Sequence, residues 1–230
     1  MHTQRTEICG IPAIIWGEPS ARAYLYVHGK QASKEAAAGF AAIAQERGFQ
    51  TLSFDLPRHG ERASEPDRCD IWNGMRDLAI LRDAAFGHWR EVSLYGCSLG
   101  AYFSLNTFAG DAFKKCLFQS PIVDMDYLTR QMMLWFGITE ERLEREREIE
   151  TPIDLMTWAY VQYVRTHPIL SWSIPTSVLY AGRDNLQSRE VIDAFCGRFN
   201  AALTVSPQSE HPFMGEGDAD IVARWLRKSL

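Results

Sequence analysis

The chain has 230 residues, a length that one large domain can reach and that can bury a substantial core. Hydrophobic residues make up 46% and charged residues 23%, which excludes a disordered chain, and a net charge of −5 without a basic stripe argues against a nucleic-acid binder. No apolar run approaches the roughly 18 residues of a membrane helix, and the opening decapeptide, with Arg5 and Glu7, lacks a signal-peptide core.

Taken in order, the first predicted elements are two extended segments, Thr6–Cys9 and Ala13–Trp16, turning at Gly10. A strand over Ala23–Val27 runs into His28-Gly29. Ser33 is placed to cap an alanine-rich helix that stops near Gly48. Thr51–Phe54 reads as a strand and is followed by the loop Asp55-Leu56-Pro57-Arg58-His59-Gly60. A helix is expected from about Asp70 to His88, then a strand over Val92–Tyr95 leading directly into Gly96-Cys97-Ser98-Leu99-Gly100. The next helix carries Ala101, Leu105, Phe108 and Ala109 on one side, and Cys116–Gln119 is a strand ending at Ser120-Pro121. Short apolar runs alternating with helices predict a mostly parallel sheet of about eight strands, covered by helices on both faces.

Between about Ile122 and Trp172 the alternation breaks and no strand is predicted. Leu128, Met132, Trp135 and Phe136 share one helical face by spacing, as do Met156, Tyr160, Tyr163 and Val164. The charged run Glu140–Glu148 between them reads as a solvated helix face, with Glu141 and Arg145 spaced for an i,i+4 pair. The strand pattern resumes at Ser177–Ala181, followed by Gly182-Arg183-Asp184, a helix capped by Ser188, a strand near Leu203–Val205 and a final helix. The division expected is a core of residues 1–121 and 173–230, with 122–172 inserted as a helical unit.

Gly96-Cys97-Ser98-Leu99-Gly100 fits G-x-S-x-G. The bare pattern arises by chance about 0.1 times in a chain of this length, so context must carry the assignment. A predicted strand enters the motif and a predicted helix leaves it, which is the sharp turn that presents a nucleophilic serine. The helix N-terminus then points its N–H groups at a developing oxyanion. Cys97 flanks the central position and reads as a structural thiol.

These residues resemble the α/β-hydrolase superfamily. His28-Gly29-Lys30 looks like its H-G-x loop and Asp55–Gly60 like its D-x-P-x-H-G loop, and the resemblance runs through the whole chain apart from the insertion. It implies an oxyanion hole made by the backbone N–H groups of Lys30 and Leu99. Lys30 departs from the usual glycine or apolar residue, its ammonium is expected to turn to solvent, and Gln31 is the alternative donor. His28 and His59 are expected to brace their loops. The resemblance implies a general base at His211, in Ser209-Glu210-His211-Pro212-Phe213 after the last strand, and an orienting acid at Asp184. Asp124 and Asp126, after the preceding strand, occupy the superfamily's other acid position. The order Ser98, Asp184, His211 matches the superfamily's order.

The function expected is that of a serine hydrolase of carboxylesterase type, acting on a small or medium acyl ester. Other acyl or carbon–carbon bonds, or a ligand-binding role with little turnover, are the alternatives. The insertion is expected to form a cap over Ser98, with Met132, Trp135, Phe136 and Trp158 lining an apolar acyl pocket. No zinc-binding motif, phosphate loop or dinucleotide fingerprint occurs, so neither metal nor cofactor is expected. The partner expected is the small ester, with no nucleic acid and no membrane. Five cysteines without a C-x-x-C pair read as free thiols, which makes the cytoplasm the expected location.

Overall fold

The computed structural model describes residues 1–230. Strands β1 (Thr3–Ile8) and β2 (Ile11–Trp16) form an antiparallel hairpin, with Cys9 and Gly10 both left-handed in the two-residue turn. They are followed by β3 (Arg22–Val27), α1 (Ala38–Glu46), β4 (Gln50–Phe54), α2 (Ile71–His88), β5 (Glu91–Cys97), α3 (Leu99–Thr107) and β6 (Cys116–Gln119). The sheet order is completed by β9 (Thr176–Ala181) and β10 (Ala202–Ser206), with α7 (Arg189–Phe199) between them and α8 (Asp218–Ser229) last. The eight strands lie in the order β1-β2-β4-β3-β5-β6-β9-β10, parallel from β4 onward.

Parallel central strands must be apolar on both sides, because helices cover both faces. In β3, Ala23, Leu25 and Val27 join one core with α2, α3 and α7, while Tyr24 and Tyr26 join the other with α1 and α8. Tyr26 stacks on Tyr95 of β5 at 4.6 Å between ring centroids, tying adjacent strands on that second face. The edge strand β1, Thr-Gln-Arg-Thr-Glu-Ile, is largely exposed and carries charge, which discourages pairing with another chain. Helix α3 differs from its expected one-sided pattern. Every residue from Leu99 to Leu105 is buried, because the helix packs on the central strands β3 and β5 with α2 beside it.

The segment between β6 and β9 holds α4 (Met125–Trp135), α5 (Glu140–Glu146), a two-stranded antiparallel hairpin of β7 (Glu148–Glu150) and β8 (Leu155–Thr157), and α6 (Trp158–Thr166). The hairpin corrects the expectation of an all-helical insertion. The charged helix ends at Glu146, Arg147 turns left-handed, and Met156 lies in a strand rather than on a helix face. The i,i+4 pair formed is Arg142–Glu146 rather than Glu141–Arg145. Met133, Ile138, Leu143, Ile149, Met156 and Val161 make a small core of the insertion's own.

Candidate active site

The turn after β5 is built by steric necessity. Ser98 has φ 50° and ψ −118°, a conformation that L-residues rarely adopt. The glycines on either side permit it. A Cβ on Gly96 would lie 3.0 Å from the Ala101 Cα, and one on Gly100 would lie 2.5 Å from the Val27 carbonyl oxygen and closer still to that of His28. Ser98 is thereby presented at the carboxyl ends of the parallel strands, and Leu99 begins α3 with its N–H outside the helix's own bonding pattern.

His211 Nε2 lies 2.8 Å from Ser98 Oγ, and its Nδ1 lies 2.8 Å from Asp184 Oδ2. A carboxylate oxygen only accepts, so Nδ1 donates to Asp184 and Nε2 is free to accept from the serine hydroxyl. Asp184 is nearly sealed, with its side chain 1% exposed. Its Oδ1 accepts the N–H groups of Leu186 (2.8 Å) and Gln187 (3.3 Å). Gly182 N–H donates to Ser206 (2.8 Å) and Arg183 N–H to Ser209 (3.0 Å), which fastens the aspartate loop to the histidine loop. Gln119 Nε2 donates to the Pro212 carbonyl at 2.9 Å while its Oε1 accepts from Tyr95 at 2.6 Å, anchoring the histidine loop to β6. Neither Gln119 nor Gln187 was singled out from sequence, since an isolated glutamine in a strand or loop carries no pattern.

The loop after β3 is equally constrained. His28 Nε2 accepts from Leu56 N–H at 3.0 Å, so Nδ1 carries the proton and donates to the Gly29 carbonyl at 2.7 Å. Burial lowers His28 from the ordinary histidine value to about 4, so it stays neutral and braces the loop. His59 Nε2 accepts from Gln31 N–H at 3.0 Å and Nδ1 faces the Pro57 carbonyl at 2.9 Å. That bond occupies Gln31. The Lys30 ammonium departs from its expected course into solvent and pairs with Asp154 at the tip of the β7–β8 hairpin. Burial raises the Cys97 thiol to about 12, with the Asp184 carboxylate acting in the same sense, so Cys97 is a poor nucleophile.

Asp124 caps α4, accepting from Tyr127 N–H at 2.9 Å, and Asp126 pairs with Arg130 at 2.6 Å. Both carboxylates serve the insertion rather than His211. Four side chains of the insertion are expected to line an acyl pocket. Met132, Phe136 and Trp158 pack on the insertion's own core, and Trp135 is 42% exposed. A cavity of about 430 Å³ opens between the start of α4, the end of α6 and α7, touching Tyr102, Val123, Met125, Val164 and Phe195, but not Ser98, Asp184 or His211. A second, of about 500 Å³, abuts His211 beside Gln208, Glu210, Met214 and Glu216. No group of three His, Cys, Asp or Glu side chains is placed to hold a metal ion, and no helix is long and apolar enough to cross a membrane.

An eight-stranded, mostly parallel sheet with helices on both faces and a serine at the turn after its central strand defines the α/β-hydrolase fold. Solved structures agree. Est1E from Butyrivibrio proteoclasticus with bound ferulic acid superposes with a TM-score of 0.79 at 15% identity, covering 98% of this chain and 96% of the other. The mouse alpha/beta hydrolase domain-containing protein 10 gives 0.77 at 13% identity, covering 99% and 98%. A monoacylglycerol lipase from Paleococcus ferrophilus gives 0.69 at 16% identity, covering 96% and 99%. No family model and no curated protein sequence matches the chain.

Proposed function

We propose that the protein is a serine hydrolase of carboxylesterase type, with Ser98 as nucleophile, His211 as general base and acid, and Asp184 as the group that orients His211. The observation that carries this reading is the hydrogen-bonded series Ser98 Oγ, His211 Nε2, His211 Nδ1 and Asp184 Oδ2, with both contacts at 2.8 Å. His211 takes the proton as Ser98 Oγ bonds to the carbonyl carbon of an ester. The carbonyl oxygen becomes anionic and is held by the N–H groups of Lys30 and Leu99. With Gln31 N–H committed to His59, Lys30 is the better second donor. The imidazolium then protonates the departing alkoxide, leaving an acyl-serine. Water, deprotonated by His211, attacks that acyl group, and the acid leaves as Ser98 regains its proton.

The substrate proposed is a small ester rather than a nucleic acid or a membrane lipid, in line with the net charge of −5. The five cysteines are all unpaired, which suits a cytoplasmic setting. Est1E with ferulic acid makes hydroxycinnamoyl esters a sensible first class to assay. The geometry of the triad does not select the leaving group, so the assay needs thioesters and anilides beside p-nitrophenyl esters. A fluorophosphonate should add one mass increment, located at Ser98, and abolish ester cleavage. Absence of the adduct, or its location at Cys97, would falsify the reading.

A further inference from the structure

The insertion's root and the aspartate loop meet at Gln187, whose side chain is fully buried. Its Oε1 accepts from the N–H groups of Val123 (3.0 Å) and Asp124 (2.8 Å), and its Nε2 donates to the carbonyls of Asp124 (2.9 Å) and Leu186 (2.8 Å). Two acceptances and two donations exhaust what a primary amide can do, so the side chain has one satisfied orientation. The backbone of the same residue reaches the site. Gln187 N–H donates to Asp184 Oδ1 at 3.3 Å, and its carbonyl accepts from the Tyr180 hydroxyl at 3.0 Å.

These bonds close a ring. Ile122 N–H, next to the clamped residues, donates to the Ser98 carbonyl at 3.3 Å. From Ser98 the ring runs through His211 to Asp184, through Gln187 to Asp124 and Val123, and through Ile122 back to Ser98. An amide that merely filled a loop would bond within that loop. This one bonds two segments more than sixty residues apart, one bearing the proposed acid and the other leading into the insertion.

We infer that Gln187 is a positioning residue, which holds the Asp184 carboxylate against His211 and sets that position from the root of the insertion. The inference rests on the Ser98–His211–Asp184 reading. Gln187 touches neither substrate nor reacting atoms and acts through Asp184.

Gln187→Met keeps the length and burial of the side chain but removes the amide. Active sites are counted by fluorophosphonate uptake, so loss of folded protein does not enter the rate. Against p-nitrophenyl acetate, kcat per labelled site should fall about tenfold or more, with KM nearly unchanged, because a shift of the order of 1 Å in a catalytic group is expensive in rate. The acid side of the kcat/KM profile should move to lower pH, because the imidazolium loses part of its anionic partner. Tyr180→Phe removes one bond to the Gln187 carbonyl and should show the same signs at smaller size, which keeps the test open if Gln187→Met does not fold. If the folded variants lose only melting temperature, with rate per site and pH midpoint unchanged, Gln187 is a structural clamp and the inference is overturned. A wild-type chain that takes up no label overturns the underlying reading, and the inference falls with it.

Discussion

At the end of β5, neighbouring backbone that would lie 3 Å or less from any Cβ added at Gly96 or Gly100, together with a left-handed serine, leaves one arrangement open to Gly96, Ser98 and Gly100. In α4, by contrast, the helix buries Met125, Leu128, Thr129 and Met133, whereas regular spacing from Leu128 predicts a face that also holds Met132, Trp135 and Phe136. Both regions are rich in apolar residues. They differ in what fixes the answer. Around Ser98 the sharp turn needs particular residue types at fixed offsets, so a short motif is informative. In α4 five consecutive apolar residues, Met132 to Phe136, erase the periodicity, and packing against the rest of the insertion decides which of them turn inward.

The contrast can be broken most forcefully at the site itself. Ser98→Ala should lower kcat by roughly 10⁴ or more with an unchanged far-ultraviolet circular dichroism spectrum. Asp184→Asn should lower kcat by about 10⁴, whereas Asp124→Asn should leave it nearly unchanged, since asparagine caps a helix as well as aspartate does. Steady-state rates on one p-nitrophenyl ester decide this pair, and reversed effects would move the acid to the strand before the insertion.

Gly100→Ala tests the backbone constraint without altering a reacting side chain. The new methyl group meets two main-chain oxygens that cannot rotate away, so a loss of about 2 kcal/mol or more is expected in urea unfolding. Gly137 in the insertion has a left-handed φ, unlike Gly100, but its added methyl group would meet no neighbour, so Gly137→Ala should cost only about 1 kcal/mol. Equal losses would remove the distinction between the two regions.

A pH-dependent effect comes from His28. Its folded value of about 4 lies below the ordinary 6.5, so between those values the unfolded chain binds a proton that the folded chain refuses. Stability from this residue is complete above about pH 6.5 and is lost as pH falls towards 4, by up to about 3 kcal/mol. Urea midpoints of the wild type should therefore decline over that window more steeply than those of His28→Gln. The smallest effect belongs to the Lys30–Asp154 pair, half of which is open to solvent. Asp154→Asn should change stability by less than about 1 kcal/mol, and the change should vanish in 1 M salt.

The chain order of the sheet elements and the strand-turn-helix at Ser98 were legible from local pattern and fixed offset, whereas the meeting of Ser98 with Asp184 and His211 was implied only by the superfamily resemblance, because no local pattern links residues so far apart in the chain. The bracing roles of His28 and His59 were legible from their loops, but the identity of their partners, Leu56 and Gln31, was not. The β7–β8 hairpin escaped notice because three-residue strands such as Glu148-Ile149-Glu150 are too short to show alternation. Gln187 and Gln119 escaped because their partners are distant in the chain, and a polar side chain gives no hint of burial until those partners are in place.

Strands β6 and β9, which flank the insertion, pair directly with each other from Cys116↔Thr176 to Gln119↔Leu179. The sheet's register therefore owes nothing to what lies between them, and closing a longer or shorter loop there changes chain entropy only logarithmically. For protein engineering this makes the insertion an exchangeable module with a defined seam. The seam lies not at the strand end but after Asp124, because Val123 and Asp124 are already bonded to Gln187. A graft that begins at Met125 keeps those bonds, and one that begins at Pro121 discards them together with the Ile122 bond to Ser98.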